Sequence, residues 1–105
     1  MKLKGQRVKG KDAASIVREL GDMRQELEQQ FTVVRIGVFG SCARGGASPE
    51  SDVDIIVELA EPTFDNYMDL KFRLEEVFQR PVDLVMADTV KPRLKPIIEK
   101  DVIYA

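Results

Sequence analysis

A glycine-serine pair and an aspartate pair stand in the middle of the chain, in the stretch GVFGSCARGGASPESDVDIIVEL. Gly40-Ser41 ends one apolar run, and Asp52 and Asp54 open the next, with ten residues between Ser41 and Asp52. Residues i and i+2 of a strand point to the same side, so the two carboxylates would share one face. Like charges held together there repel unless a cation compensates them, and Mg²⁺ is a suitable hard cation. The pair therefore predicts a metal site.

Four further residues could complete such a site. Glycine at position 40 lets backbone approach a ligand closely, and Ser41 at the start of a helix could hold phosphate oxygens. Arg44 follows in the same loop, where a phosphate contact and an ordinary surface salt bridge are equally plausible. A third carboxylate, Asp83, interrupts the apolar run PVDLVM. Its alternative interpretation is an outward-facing residue of an edge strand.

Composition limits the other chemistries. With 105 residues we expect one domain over 1–105, opened by a basic, flexible segment 1–11. The chain has no histidine, which excludes histidine-based triads and disfavours zinc. The single cysteine, Cys42, cannot form an internal disulfide, which favours a reducing, cytoplasmic compartment. The apolar runs are too short to span a membrane, and a net charge of −2 predicts no direct binding of nucleic acid.

Periodicity and turn residues predict an α/β domain with the order α-β-β-α-β-α-(β), a mixed sheet covered by helices. Thr63 is a candidate N-cap, and Pro81 should stop the helix that follows it. We expect strand 82–87 to return beside strand 53–60, which would place Asp83 in the cleft of the aspartate pair. The predicted elements are a helix 12–30, strands 32–40 and 53–60, a helix 63–79, a strand 82–87, a proline-started helix within 89–100 and a terminal strand 102–105.

The stretch GSCARGGASPESDVD, followed by VDLV, resembles the minimal nucleotidyltransferases of the DNA polymerase beta superfamily. That family is marked by Gly-Ser, ten intervening residues, Asp-x-Asp and a later third acidic residue. The resemblance implies that Gly40 and Ser41 bind nucleotide phosphates and that Asp52 and Asp54 hold two Mg²⁺ ions. It implies that Asp83 joins the metal site or activates the attacking hydroxyl. Cys42 departs from the family pattern, in which an aromatic residue is frequent.

The resemblance also implies a reaction: transfer of AMP from ATP to a hydroxyl, with pyrophosphate leaving. It points to the antitoxin halves of two-gene HEPN/MNT modules, whose helical HEPN ribonuclease toxin is adenylylated on a tyrosine. Two alternatives remain open: a non-catalytic module that masks the toxin or binds nucleotide, and a small-molecule nucleotidyltransferase completed by a separate helical subunit. Three retained acidic residues argue against the pure binder.

Overall fold

A computed structural model describes residues 13–40 and 52–105 of the chain. A mixed sheet is packed against helices, as the sequence predicts. In chain order the elements are α1 (Ala13–Asp22), α2 (Arg24–Phe31), β1 (Val33–Val38), β2 (Val53–Leu59), α3 (Phe64–Phe78), β3 (Val82–Met86), a 3₁₀ turn (Ala87–Thr89), α4 (Lys95–Asp101) and β4 (Ile103–Tyr104).

The first predicted helix, 12–30, is wrong as a single element, because a turn at Met23 divides it into α1 and α2. Met23 has φ −94° and ψ 4°, outside the usual helical range. Gly21 and Asp22, both poor helix formers, stand just before the break. The Met23 side chain is buried, so the turn directs an apolar group into the core.

The strand order is β3-β2-β1-β4. β1 runs antiparallel to both β2 and β4, whereas β2 and β3 are parallel. α3 connects these two parallel strands, and strand 82–87 does lie beside strand 53–60, as predicted. The carboxyl end of β1 and the amino ends of β2, β3 and β4 therefore meet at one end of the sheet.

One face of the sheet forms the core with α1, α2 and α3. On β2, Val53, Ile55 and Val57 point into this core and are at most 1% exposed. The alternate residues Asp54 and Glu58 lie on the other face and are half-buried. The helical contribution to the core is Ile16, Leu20, Leu27, Phe31, Leu70, Leu74 and Phe78. The period of two along β2 thus separates its carboxylates from its core side chains.

α3 begins and ends close to the predicted 63–79. Thr63 caps it, its Oγ1 accepting a 3.1 Å hydrogen bond from the Asn66 backbone N–H. The helix ends before Pro81, at Gln79, whose φ of 57° is left-handed. Among the helices within 13–40 and 52–105, none has the length and apolar character needed to cross a membrane.

The proline-started helix begins later than predicted within 89–100. A 3₁₀ turn and a further turn precede α4, which starts at Lys95. Pro92 and Pro96 explain the delay, because a proline disfavours helical backbone at the residue before it and is tolerated in a first turn.

Side chains of α3 bind the outer edge of β3. The Glu75 carboxylate accepts a 2.9 Å hydrogen bond from the Val82 N–H and pairs with Lys71 at 3.0 Å. The Tyr67 hydroxyl donates to the Leu84 carbonyl at 2.7 Å. The Val82 N–H, followed by Lys71, lowers the pKa of Glu75 below its usual 4.5. The start of β3, where Asp83 stands, is therefore fixed to α3 by a charge-assisted hydrogen bond.

Glu75→Gln is expected to lower the free energy of unfolding by about 1 kcal/mol near neutral pH, because the hydrogen bond loses its charged acceptor. A carboxylate whose pKa is depressed on folding contributes stability above its unfolded pKa. That contribution is lost as pH falls through the folded pKa. The difference in melting temperature between wild type and variant should therefore shrink towards zero below about pH 4.

Thermal unfolding between pH 3 and pH 7 measures this difference. The matched control is Glu76→Gln, the next residue of α3, whose side chain is 70% exposed and contacts Arg73 at 3.1 Å. It should change the melting temperature less at pH 7. A Glu75→Gln deficit that persists undiminished at pH 3 would contradict the assignment.

Candidate active site

Gly40 brings the end of β1 against the Asp54 carboxylate. Its φ is +72°, a conformation that side chains other than glycine's rarely adopt. A Cβ at this position would collide with Asp54 Oδ2 and lie 3.1 Å from its Cγ. The Phe39 N–H donates a 2.9 Å hydrogen bond to the Asp54 carbonyl. The glycine of the Gly-Ser pair and the second aspartate of Asp-x-Asp are thus in contact.

Asp83 is the neighbour of Asp54 in the parallel pair β2–β3. Paired residues of adjacent strands lie about 4.8 Å apart between backbones and point to the same face. Asp54 is half-buried and Asp83 exposed, while the residues on either side of each are buried in the core. Asp83 therefore lies on the face opposite the core, in register with Asp54. Because β3 is an edge strand and Asp83 is exposed, this register suits both the predicted place in the cleft and the alternative of an outward-facing edge residue.

Of the remaining predicted site residues, the structure describes only Asp52. Asp52 is exposed and immediately precedes β2, two residues before Asp54. Ser41 and Arg44, together with Cys42, lie outside the described residues. Within 13–40 and 52–105, no three acidic or cysteine side chains form a group that could hold a metal ion. The three-carboxylate set of Asp52, Asp54 and Asp83 therefore stays a prediction.

The residues present nevertheless fit a hard divalent cation. Asp54 and Asp83 are register partners on adjacent strands, on the sheet face opposite the core. Oxygen ligands of this kind suit Mg²⁺, which uses one or two carboxylates and fills its remaining positions with water and phosphate oxygens. The backbone of Gly40 lies against one of the two carboxylates without a side chain to block approach. A phosphate-bound cation could be accommodated beside Gly40.

Arg80 is a buried cation that the sequence reasoning missed. It is 7% exposed and precedes the strand that carries Asp83. The Pro81 carbonyl beside it accepts a 2.9 Å hydrogen bond from the Val53 N–H, so Arg80 lies next to the start of β2. Arginine is rarely buried without a partner, and Arg80 has bonding partners. A lone arginine before a proline offers no sequence signal for such a position.

An open cleft of about 410 Å³ lies at the other end of the sheet. It is formed where β2 and β3 end and α3 begins, whereas Asp54 and Asp83 lie near the strands' beginnings. Its lining residues are Pro62, Thr63, Phe64, Tyr67, Leu84, Val85, Met86 and Thr89. None of these carries a charge, so the cleft and the aspartates are separate features.

Gly40→Ala is expected to reduce nucleotidyl transfer by at least about 10²-fold, because Cβ would displace the Asp54 carboxylate and a misplacement of about 1 Å carries such a cost. The left-handed φ adds about 1–2 kcal/mol of backbone strain. Gly21→Ala is the control: nothing lies within 4 Å of its Cβ position, and alanine favours the helix by about 0.5–1 kcal/mol. The two variants should shift the melting temperature in opposite directions. Transfer by Gly40→Ala at the wild-type rate would show that the contact between Gly40 and Asp54 is not needed for activity.

Comparison with known proteins gives a family match over most of the chain. The nucleotidyltransferase domain family matches residues 20–105. The protein adenylyltransferase MntA of Thermococcus cleftensis is 39% identical over 82 residues, covering 77% of this chain and 83% of that protein.

Solved structures agree in fold. A structure described as a candidate minimal nucleotidyltransferase superimposes with a TM-score of 0.74 at 32% identity, covering 89% of this chain and 95% of that one. A toxin–antitoxin structure with AMP-PNP gives 0.65 at 22% identity, covering 79% and 69%. A complex of tri-AMPylated Shewanella oneidensis HEPN toxin with MNT antitoxin gives 0.59 at 19%, covering 83% and 69%. At these lower identities the likeness concerns the fold alone.

The family match includes every element from α2 to β4 and, with them, Gly40, Asp54 and Asp83. The 39% identity to an adenylyltransferase extends over three quarters of the chain, so the relationship is not confined to a short motif. This chain belongs to the nucleotidyltransferase domain family and is a nucleotidyltransferase.

Proposed function

We propose that this chain is a Mg²⁺-dependent protein adenylyltransferase that transfers AMP from ATP to a tyrosine hydroxyl of a HEPN toxin and so acts as its antitoxin. One observation carries the proposal: the backbone of Gly40 lies against Asp54, whose strand neighbour is Asp83. This arrangement supports a phosphate site at the glycine, next to carboxylates of the kind that suit a hard cation. The relationship to an MntA adenylyltransferase and a related fold solved with AMP-PNP support AMP and ATP as group and donor.

The roles of individual residues follow from their chemistry. Asp52, Asp54 and Asp83 would hold two Mg²⁺ ions, which supply positive charge for the attacking and leaving oxygens of an in-line displacement. Gly40, Ser41 and Arg44 would bind the triphosphate, the glycine by leaving space and the other two by donating hydrogen bonds. Asp83 would accept the proton of the incoming hydroxyl as its oxygen bonds to the α-phosphorus and the bond to pyrophosphate breaks.

A helical protein partner is supported by two facts. The structural neighbours include a HEPN toxin bound to an MNT antitoxin. The described part of this chain buries its apolar side chains in a single core around one sheet, and no second core accompanies it within 13–40 and 52–105. An acceptor supplied by another protein suits a domain of this size.

Intact-mass spectrometry tests the proposal. The chain is mixed with a HEPN protein from its own host, with and without ATP and Mg²⁺, and the masses of both proteins are compared. A mass increase of one or more adenylyl groups on the HEPN protein supports the proposal. Loss of the HEPN protein's ribonuclease activity without a change in its mass would favour the non-catalytic masking module. Modification of an added small hydroxyl compound, with the HEPN protein unchanged, would favour a small-molecule enzyme. GTP, CTP and UTP in place of ATP test the nucleotide preference.

A further inference from the structure

The helix α4 carries an apolar stripe that nothing in the described structure buries. Leu94 is 41% exposed and Ile97 61% exposed, and half-buried Ile98 continues the stripe. Their spacing of i, i+3 and i+4 places them on one side of the helix. None of the seven residues of α4 is buried. A helix this short gains little stability from its own hydrogen bonds, so it would benefit from a packing partner.

Cations surround this stripe. The segment 91–101 contains the exposed residues Lys91, Arg93, Lys95 and Lys100, against only Glu99 and Asp101 among the acids. None of the four cations forms an ion pair with another residue of 13–40 or 52–105. The chain as a whole has a net charge of −2, so this positive segment is a local exception. We call the stripe and its four cations the α4 surface.

The C-terminal end of α4 is joined to β4, which pairs with the strand that leads to the candidate active site. α4 leads directly into β4, whose first residue, Ile103, pairs with Val38 at the end of β1. Gly40 follows Val38 by two residues. A Cβ on Gly37 would lie 2.9 Å from both the Ile103 carbonyl oxygen and Val102 Cγ2, so β4 packs closely against β1 because position 37 is glycine. The end of α4 is therefore held at the end of the sheet where Asp54 and Asp83 begin their strands.

We infer that the acceptor protein docks on the α4 surface. The acceptor would use a helical face of its own, with an apolar ridge bordered by carboxylates. This inference rests on the proposed function, since it names the surface that presents the acceptor to the transfer site. Charge complementarity selects the occupant: the four cations around the apolar stripe, which form no ion pair within 13–40 and 52–105, match an acidic surface. Contacts made beside the reacting groups hold the acceptor hydroxyl in place and so lower the entropic cost of transfer.

Other occupants from the same chain are less suitable. The opening segment 1–11 contains five cations and no acidic residue, so it would be repelled by the α4 surface. A second copy could offer the outer side of α3, where Phe64 and Phe72 are 76% and 58% exposed near Asp65 and Asp69. The outer side of α3 is therefore both acidic and apolar. The experiment must distinguish binding of a second copy from docking of the acceptor protein.

The test uses the chain in full and a HEPN protein from its host. Ile97→Ser removes the most exposed member of the stripe, and Lys95→Glu reverses one flanking charge. Phe72→Ser is the matched control, with an apolar side chain of similar exposure on α3. Calorimetry measures the Kd for the HEPN protein at two salt concentrations, and radiolabelled ATP measures its modification. Binding of AMP-PNP with Mg²⁺ and the mass of each variant in solution are measured in parallel.

We expect Ile97→Ser and Lys95→Glu to raise the Kd for the HEPN protein at least tenfold and to slow its modification equally at sub-saturating concentration. Lys95→Glu should also make the Kd for the HEPN protein depend less on salt concentration. AMP-PNP affinity should remain unchanged, and Phe72→Ser should behave as wild type. The inference is overturned if both α4 variants bind normally, if only Phe72→Ser loses binding, or if Ile97→Ser loses AMP-PNP affinity. It is also overturned if wild type alone is a dimer that Ile97→Ser makes monomeric.

The same experiment distinguishes this inference from the proposed function. A wild-type chain that modifies no HEPN protein refutes the proposed function, and the docking inference falls with it. A wild-type chain that modifies its HEPN partner while the α4 variants bind and modify it equally well refutes the docking surface alone.

Discussion

Asp54→Asn is expected to give a folded protein that no longer transfers nucleotide. Its carboxylate touches Gly40 and neighbours Asp83, so the amide removes a predicted metal ligand at the centre of the site. Loss of one group that stabilises transition-state charge typically costs about 10²–10³-fold in rate. The same change relieves repulsion between neighbouring carboxylates, so the melting temperature in metal-free buffer should change little or rise. Asp52→Asn should have the same effect on transfer if its carboxylate shares the metals.

Transfer from radiolabelled ATP, measured with and without Mg²⁺, checks this expectation. The matched control is Asp69→Asn, an exposed aspartate on α3 that should retain wild-type activity. Near-normal Mg²⁺-dependent transfer by Asp54→Asn would show that the metal assignment is wrong. A large fall in melting temperature would instead indicate that the carboxylate has a structural role.

Asp83→Asn is expected to slow transfer by about 10²–10⁴-fold, the usual contribution of a general base, while MgATP binding stays largely intact. We expect the chemical step and MgATP binding to be affected differently because of where Asp83 lies in the sheet. Gly40, Ser41 and the Asp52–Asp54 pair would hold the triphosphate, whereas Asp83 stands one strand further along the sheet. An amide at position 83 can still donate and accept hydrogen bonds, but it cannot take the proton of the attacking hydroxyl.

Calorimetry with AMP-PNP and Mg²⁺ measures binding, and single-turnover kinetics measures the chemical step. Asp88→Asn serves as the control, because Asp88 is exposed in the 3₁₀ turn at the other end of β3. If Asp83→Asn abolished nucleotide binding, Asp83 would be primarily a ligand of the nucleotide-bound metal. If transfer were unaffected, the site would reduce to the Asp52–Asp54 pair.

Local sequence patterns predict much of this fold. The alternation along VDIIVEL determines which side of β2 enters the core, because successive side chains of a strand point to opposite faces. Thr63 caps α3 as predicted, since an N-cap depends on a side chain reaching backbone only three residues away. The spacing of Gly-Ser and Asp-x-Asp likewise identifies a candidate site, because these residues lie at the end of one strand and the start of the next.

The boundaries that sequence reasoning misplaced depend on less local effects. The apolar spacing of residues 16–31 continues through Met23, so periodicity alone does not reveal the turn there. The late start of α4 results from two prolines within a helical pattern, where either proline could have opened the helix.

The sequence by itself determined the mixed α/β class and the face of β2 on which Asp54 lies, and it predicted the residues of the candidate site. Tertiary structure decided which of these residues meet. The contact of Gly40 with Asp54 depends on the antiparallel pairing of β1 with β2, and the register of Asp54 with Asp83 depends on the return of the chain through α3. The burial of Arg80 and the requirement for glycine at position 37 are likewise long-range. The physical reason is that propensity and periodicity act over a few residues, whereas strand register and close packing depend on segments distant in sequence.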